Sequence, residues 1–214
     1  MDLFCSSLQF AFKLNTLMFP LDSYTLLKEL EENEFVQVRK GQATLDGLPV
    51  KQGDIAMKGN TLLNVNQQTQ TISISGTRTD EIISIFHELI PLLERSGINL
   101  EEKVASYSIV GEYIIKTEES PIKKIQKFSS IKELKSLTEI TGGEHGSFSI
   151  MITPKGTSFI DDEYFNLRVE PHFQSLGKSY FLQFSRRVQD RTSLEEIMTN
   201  MEDHVTSIIN EIES

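Results

Sequence analysis

Hydrophobic positions along this chain recur with two periods. Leu8, Phe10, Phe12 and Leu14 alternate with Gln9, Ala11 and Lys13, the period-two signature of a strand with one buried face. Asp22 and Ser23 then precede Tyr24, Leu27 and Leu30, which share one side of a short helix. Its Glu31-Glu32 end leads into strand residues Phe35, Val36 and Val38, and Gly41, Gly47, Pro49, Gly53 and Gly59 punctuate 41–63 as hairpin turns. Ile72 and Ile74 mark a further strand closing at Gly76. Thr79 is placed to cap a long helix with Ile82, Ile83, Phe86, Leu89, Ile90 and Leu93 on its apolar side, ended by Gly97. Pro91 inside it predicts a bend, because proline removes a backbone hydrogen bond and crowds the preceding turn.

From residue 104 the order begins again. Tyr107, Ile109, Tyr113 and Ile115 predict a long strand with a bulge at Gly111. Ser130 and Glu133 form a capping box for a helix carrying Ile131, Leu134 and Leu137, stopped by Gly142 and Gly143. Strands are expected around Phe148, Ile150 and Ile152, over Tyr164 to Val169, and at Tyr180, Leu182 and Phe184. A second capping box, Ser193 with Glu196, opens a final helix whose stripe is Leu194, Ile197, Met198, Met201, Val205, Ile208, Ile209 and Ile212. Corresponding elements start at 22 and 129, at 35 and 148, and at 80 and 193, offsets of 107, 113 and 113 residues. Nearly constant offsets predict an α+β fold built from duplicated β-α-β(3-4)-α halves, 1–100 and 101–214, packed together as one unit.

That order, occurring twice in about two hundred residues, resembles the TATA-box-binding-protein fold. The segment TISISGTRTDEIISIFHELIPLLERSGI at 71–98 looks like the last strand and long helix of that family's repeat, including Gly76 before the helix and Gly97-Ile98 after it. The resemblance implies a curved antiparallel sheet covered on one face by two long helices. It carries no DNA-contact residue over, since the family's paired intercalating phenylalanines have no place in this sequence. The outward strand positions read directly as Gln9, Ala11, Lys13, Gln37, Arg39, Ser73, Ser75, Ser106, Ser108, Ser147, Ser149, Gln183, Ser185 and Arg187. This is a polar, sparsely charged face, either simply solvated or a hydrogen-bonding platform.

Charge narrows the partners. The chain carries 21 Lys and Arg against 31 Asp and Glu, a net −10. Both halves share the acidic balance, with eight basic to twelve acidic residues in 1–100 and thirteen to nineteen in 101–214. Net negative charge opposes non-specific phosphate binding, so nucleic acid is disfavoured. The single cysteine, Cys5, fits a reducing compartment, and cytoplasmic residence is expected. Lys13 and Asn15 interrupt the apolar start, arguing against a signal peptide, and no run approaches the ~18 apolar residues of a membrane span.

Candidate chemistry is sparse. His87, His145, His172 and His204 lie at no metal-ligand spacing, and Asp161-Asp162-Glu163 lacks the spaced oxygens of a calcium loop. Gly142-Gly143-Glu144-His145-Gly146 follows a helix instead of opening one, so it is a stop and a turn, not a phosphate cradle. No catalytic residue, metal or cofactor is assigned. Two basic groups stand out: Lys123, Lys124 and Lys127, within a lysine-rich stretch around Phe128, and Arg186, Arg187 and Arg191. They are the candidate binding residues, set against the reading that they are solvated. The expected function is a non-enzymatic binding or regulatory protein presenting its polar sheet face to a macromolecule. The alternatives are a small-molecule-binding protein or enzyme with a cleft between the halves, using His145, His172 and Asp161, and nucleic-acid binding in the manner of the resembled family.

Overall fold

The computed structural model describes residues 2–15, 24–38, 52–66, 68–129, 146–156, 161–175 and 177–214. Its first part runs β1 (Asp2–Leu14), α1 (Tyr24–Glu32), β2 (Val36–Gln37), β3 (Gln52–Lys58), β4 (Thr61–Asn66), β5 (Thr71–Gly76) and α2 (Thr79–Arg95). After a single turn, α3 (Leu100–Lys103), come β6 (Val104–Lys116), α4 (Pro121–Ser129), β7 (Ile150–Ile152), β8 (Tyr164–Pro171), β9 (Ser179–Val188) and α5 (Arg191–Glu213). The strands form one open antiparallel sheet in the order β2-β3-β4-β5-β1-β6-β9-β8-β7.

The central pair β1 and β6 shows why the alternation matters. Leu8, Phe10, Phe12 and Leu14 are buried, as are Tyr107, Ile109, Tyr113 and Ile115 on β6. α2 lies against β1, β4 and β5, and α5 against β6 and β9. The α2 side chains Ile82, Ile85, Phe86, Leu89, Ile90, Leu92 and Leu93 join Leu194, Ile197, Met198, Met201, Val205, Ile209 and Ile212 of α5 in the same core. Burying such a stripe gives an amphipathic helix most of its stability. Across the helix pair, Thr79 Oγ1 donates to Glu202 Oε1 at 2.7 Å and His87 Nδ1 lies 3.8 Å from Glu195.

Several local expectations are corrected. The β1–β6 register shifts at Ser6, between Cys5 and Ser7, and again between Lys13 and Leu14, where Ala105 has no opposite, and not at Gly111; Ser6 Oγ bonds the Glu112 carbonyl at 3.0 Å and holds the first extra residue. Thr79 is the first residue of α2; Arg78 occupies the cap without a side-chain bond. α5 begins before its expected box, because Asp190 accepts from the Ser193 amide and hydroxyl. A carboxylate satisfies an orphan helix amide at least as well as a serine hydroxyl does. The expectation at Pro91 is not among these: α2 continues to Arg95 through the exposed Pro91, where water can hydrate the carbonyl left without a donor. Gln37 turns toward the buried side, its Nε2 bonding the Leu27 carbonyl at 3.4 Å, while Val36 and Val38 are exposed. A two-residue strand is too short for alternation to indicate its inner face. Ser73, Ser106 and Ser147, expected on the solvated face, are buried, with 4%, 8% and 8% exposure, and Ser147 and Ser149 precede β7, which is only three residues long. The helix expected over Ser130–Leu137, the stop at Gly142-Gly143, Arg39 and His145 lie outside the described residues.

Gly111 has a different role from the one its letter suggested. A Cβ there would lie 2.8 Å from the Tyr113 ring and 3.2 Å from Met201 Sδ, so the bare backbone lets α5 close on β6. Gly111→Ala is expected to destabilise by about 1–3 kcal/mol through overpacking. Urea unfolding should show a lower midpoint at unchanged slope, and the Gly111→Ala, Met201→Ala double variant should lose less than the sum of the two single losses.

Candidate functional site

The side chains that alternate with the buried set line up through the strand registers. Asn64, Ser73, Ala11, Ser108, Arg187 and Tyr164 form one row across β4-β5-β1-β6-β9-β8, and Leu62, Ser75, Gln9, Val110, Ser185 and Asn166 the next. A third row runs Glu112, Gln183, Arg168 and Met151 over β6-β9-β8-β7. Cross-strand bonds order parts of this surface: Asn64 Nδ2 donates to Asp54 Oδ1 at 3.0 Å, and Gln183 Nε2 to Glu112 Oε1 at 2.9 Å. Arg168 reaches Glu170 at 2.6 Å, a carboxylate left 4% exposed.

At one end of the rows, Lys13, Gln70, Thr71, Ser106, Ser108 and Arg187 line a depression of about 500 Å³. Two cations stand over a floor of hydroxyls. Towards the sheet margins the character changes, with Val36 64%, Met57 36% and Met151 65% exposed. By register Val36 pairs with Met57, which pairs with Leu62, so these apolar groups continue the same outward rows.

The basic residues read from the sequence do not form one patch. Lys124 Nζ donates to the Glu213 carbonyl at 2.5 Å and lies 3.3 Å from Glu119, and Lys127 Nζ donates to the Ser214 carbonyl at 3.1 Å. Both cations close the C-terminal end of α5, where unpaired carbonyls and the helix dipole favour positive charge. Lys123 is exposed on α4. Arg191 pairs with Glu195 at 2.6 Å in the first turn of α5, and by the 1.5 Å rise per residue it sits roughly 33 Å along the helix from Glu213. Arg186 and Arg187 are successive strand residues that alternate across β9, yet both line a second cavity of about 450 Å³ together with Glu163, Tyr164, Phe165 and Ser193. Arg187 Nη1 donates to the Asp161 carbonyl at 3.1 Å, and of the six only this side chain lines the depression.

His172 Nδ1 meets Ser175 Oγ at 3.0 Å in a tight turn, and His87 and His204 are exposed on helices. Among the described residues no three His, Cys, Asp or Glu side chains are grouped to hold a metal ion, and no helix is long and apolar enough to cross a membrane. Sequence reasoning had placed Lys13 and Arg187 on one face without joining them. Only the register, with Lys13 opposite Ser106 and Ser108 opposite Arg187, makes them neighbours of one depression. The chain matches no protein-family model and no curated protein.

Proposed function

We propose that this chain is a non-enzymatic binding or regulatory protein of a reducing, cytoplasmic compartment, and that its outward sheet rows receive a protein partner. On this reading 1–100 and 101–214 are duplicated halves of a saddle like that of the TATA-box-binding-protein fold, covered on one face by α2 and α5 and open on the other. The mirrored strand order supports it, since β5-β4-β3 extends outward from β1 as β9-β8-β7 does from β6.

The observation that carries the partner class is the composition of the rows. A centre of Ser, Asn and Gln is flanked by exposed Val36, Met57 and Met151, a polar and apolar mixture suited to a protein surface. Nucleic acid needs a stripe of free cations. Here Arg168 is neutralised by Glu170, and Asp54 and Glu112 stand in the same rows. The depression around Lys13 and Arg187 spans the two proposed halves, but its polar lining differs from the largely apolar lining of small-molecule sites.

Immobilised protein incubated with its native extract should enrich a protein partner. A Met57→Asp, Met151→Asp double variant with unchanged circular dichroism should lose at least tenfold of that enrichment. Equal capture by both forms, or capture of nothing, overturns the reading. Retention on DNA or RNA that weakens steeply with salt would replace it with the nucleic-acid alternative.

A further inference from the structure

β1 is longer than the strand beside it. β5 stops at Gly76, opposite Leu8, and the chain turns into α2, so residues 2–7 pair with β6 on one side only. Among the described residues no strand occupies their other side. Six extended residues present roughly 20 Å of edge, and free amides and carbonyls of such an edge are a template for another strand.

The space beside this edge is shaped. A groove of about 640 Å³ is lined by Leu3, Phe4 and Cys5 of β1, Ile83 of α2, and Met198 and Glu202 of α5. Phe4 is 60% exposed. Burial, and then the nearby Glu202 carboxylate, push the Cys5 thiol up to about 11, so it lines the groove as a neutral group at ordinary pH. The rim is acidic: Arg78 is taken by Asp80 at 2.7 Å, leaving Glu202 and Asp203 without a basic partner among the described residues.

We propose that this edge and groove bind an extended segment of another protein by strand addition, the segment carrying alternating apolar and basic side chains. Main-chain hydrogen bonds to residues 2–7 supply affinity, and alternate side chains enter the groove and supply selectivity. The lysines of the segment enter the groove, their stems covering Ile83 and Met198 and their ammonium groups reaching Glu202 and Asp203, while the alternate apolar groups fall on the other face of the sheet beside exposed Phe4. The Ser6 bulge and the charge of Asp2 keep the pairable edge short, which suits a peptide better than open-ended sheet association. A second copy of this chain is a poor occupant, because it carries net −10 and would set its own Asp2, Glu202 and Asp203 against the same rim. This site shares no residue with the proposed partner surface and stands or falls separately.

The probe is a fluorescein-labelled octapeptide, Lys-Val repeated four times, titrated with the full chain at low salt by polarisation. Amide hydrogen exchange is followed over residues 2–7. Binding should slow exchange within 2–7 and should weaken at least tenfold for the Glu-Val counterpart. Methylating alternate backbone nitrogens of the probe should abolish it, since its side chains are kept but its strand bonds are lost. Asp203→Lys should weaken binding severalfold, and Asp203→Lys with Glu202→Lys at least tenfold, whereas Met57→Asp with Met151→Asp should bind as the unmodified chain does. Equal binding of the methylated probe, or unchanged exchange over 2–7, overturns the proposal. So does a concentration-dependent dimer that Phe4→Lys dissociates, which would assign the edge to a second copy.

Discussion

Phe12→Ala is expected to remove about 3–5 kcal/mol of stability, the range for deleting a fully buried aromatic ring. Phe12 is 0% exposed near the C-terminal end of β1, the central strand of the sheet. Its ring stacks on Phe86 of α2, with centroids 5.4 Å apart and planes 13° apart, and meets Tyr107 of β6 edge-on at 5.8 Å. Phe86 also takes Phe10 edge-on at 6.2 Å. Removing this ring therefore loosens a strand, its neighbour and a long helix together, and a packed interior cannot refill the space. Domains are commonly stable by only about 5–15 kcal/mol, so the loss is roughly a fifth or more of the total. Urea unfolding should show the lowered midpoint, Phe12→Leu should retain most of the stability, and Phe4→Ala on the exposed edge should change it by no more than about 0.5 kcal/mol.

Glu213→Ala is expected to cost about 2–4 kcal/mol, because one carboxylate ties the end of α5 to the sheet. Tyr180, fully buried on β9, donates its hydroxyl to Glu213 Oε1, and Thr117 Oγ1 donates to the same oxygen at 3.1 Å. Lys124 bonds the Glu213 carbonyl and lies 3.9 Å from Oε2. Truncation leaves a buried phenol and a partly buried hydroxyl without their acceptor. Glu213→Gln keeps an acceptor and should cost less.

The same contact sets an alkaline limit. Burial first, then the hydrogen bond and charge of Glu213, hold the Tyr180 hydroxyl far above its ordinary value. A folded-state value raised in this way leaves stability intact below the ordinary tyrosine range near ~10, and stability falls as pH rises beyond it, because the unfolded chain releases the proton first. Tyr180→Phe should give a shallower decline in unfolding free energy between pH 9 and 11 (a window set by that ~10) than the unmodified chain.

Much of the architecture was legible in the letters. Leu8 to Leu14 alternate because a strand turns successive side chains to opposite faces, and the α5 stripe recurs at three and four because a helix has 3.6 residues per turn. These periods belong to the local backbone and survive any tertiary context. Cap positions were less secure, since Asp190 and Ser193 are both competent and the choice between them depends on how the chain leaves β9. The candidate site was legible only in part. The polar rows were visible as alternation, but the apolar Val36 and Met57 on the same rows depended on the side to which the two-residue β2 turned.

By itself the sequence determined the strand and helix periods, the acidic balance and the scarcity of catalytic groupings, all properties of neighbouring residues or of composition. Only the tertiary structure decided what the charges and edges face. Lys124 and Lys127 are separated from Glu213 and Ser214 by more than eighty residues, and their charge alone cannot distinguish a helix-end clamp from a solvated patch. Lys13 and Arg187 share a depression, and residues 2–7 are left with an open side, because of which strands pair and where β5 ends. Pairing of distant strands is selected by the global packing of buried faces, for which a linear pattern supplies the faces but not the partners.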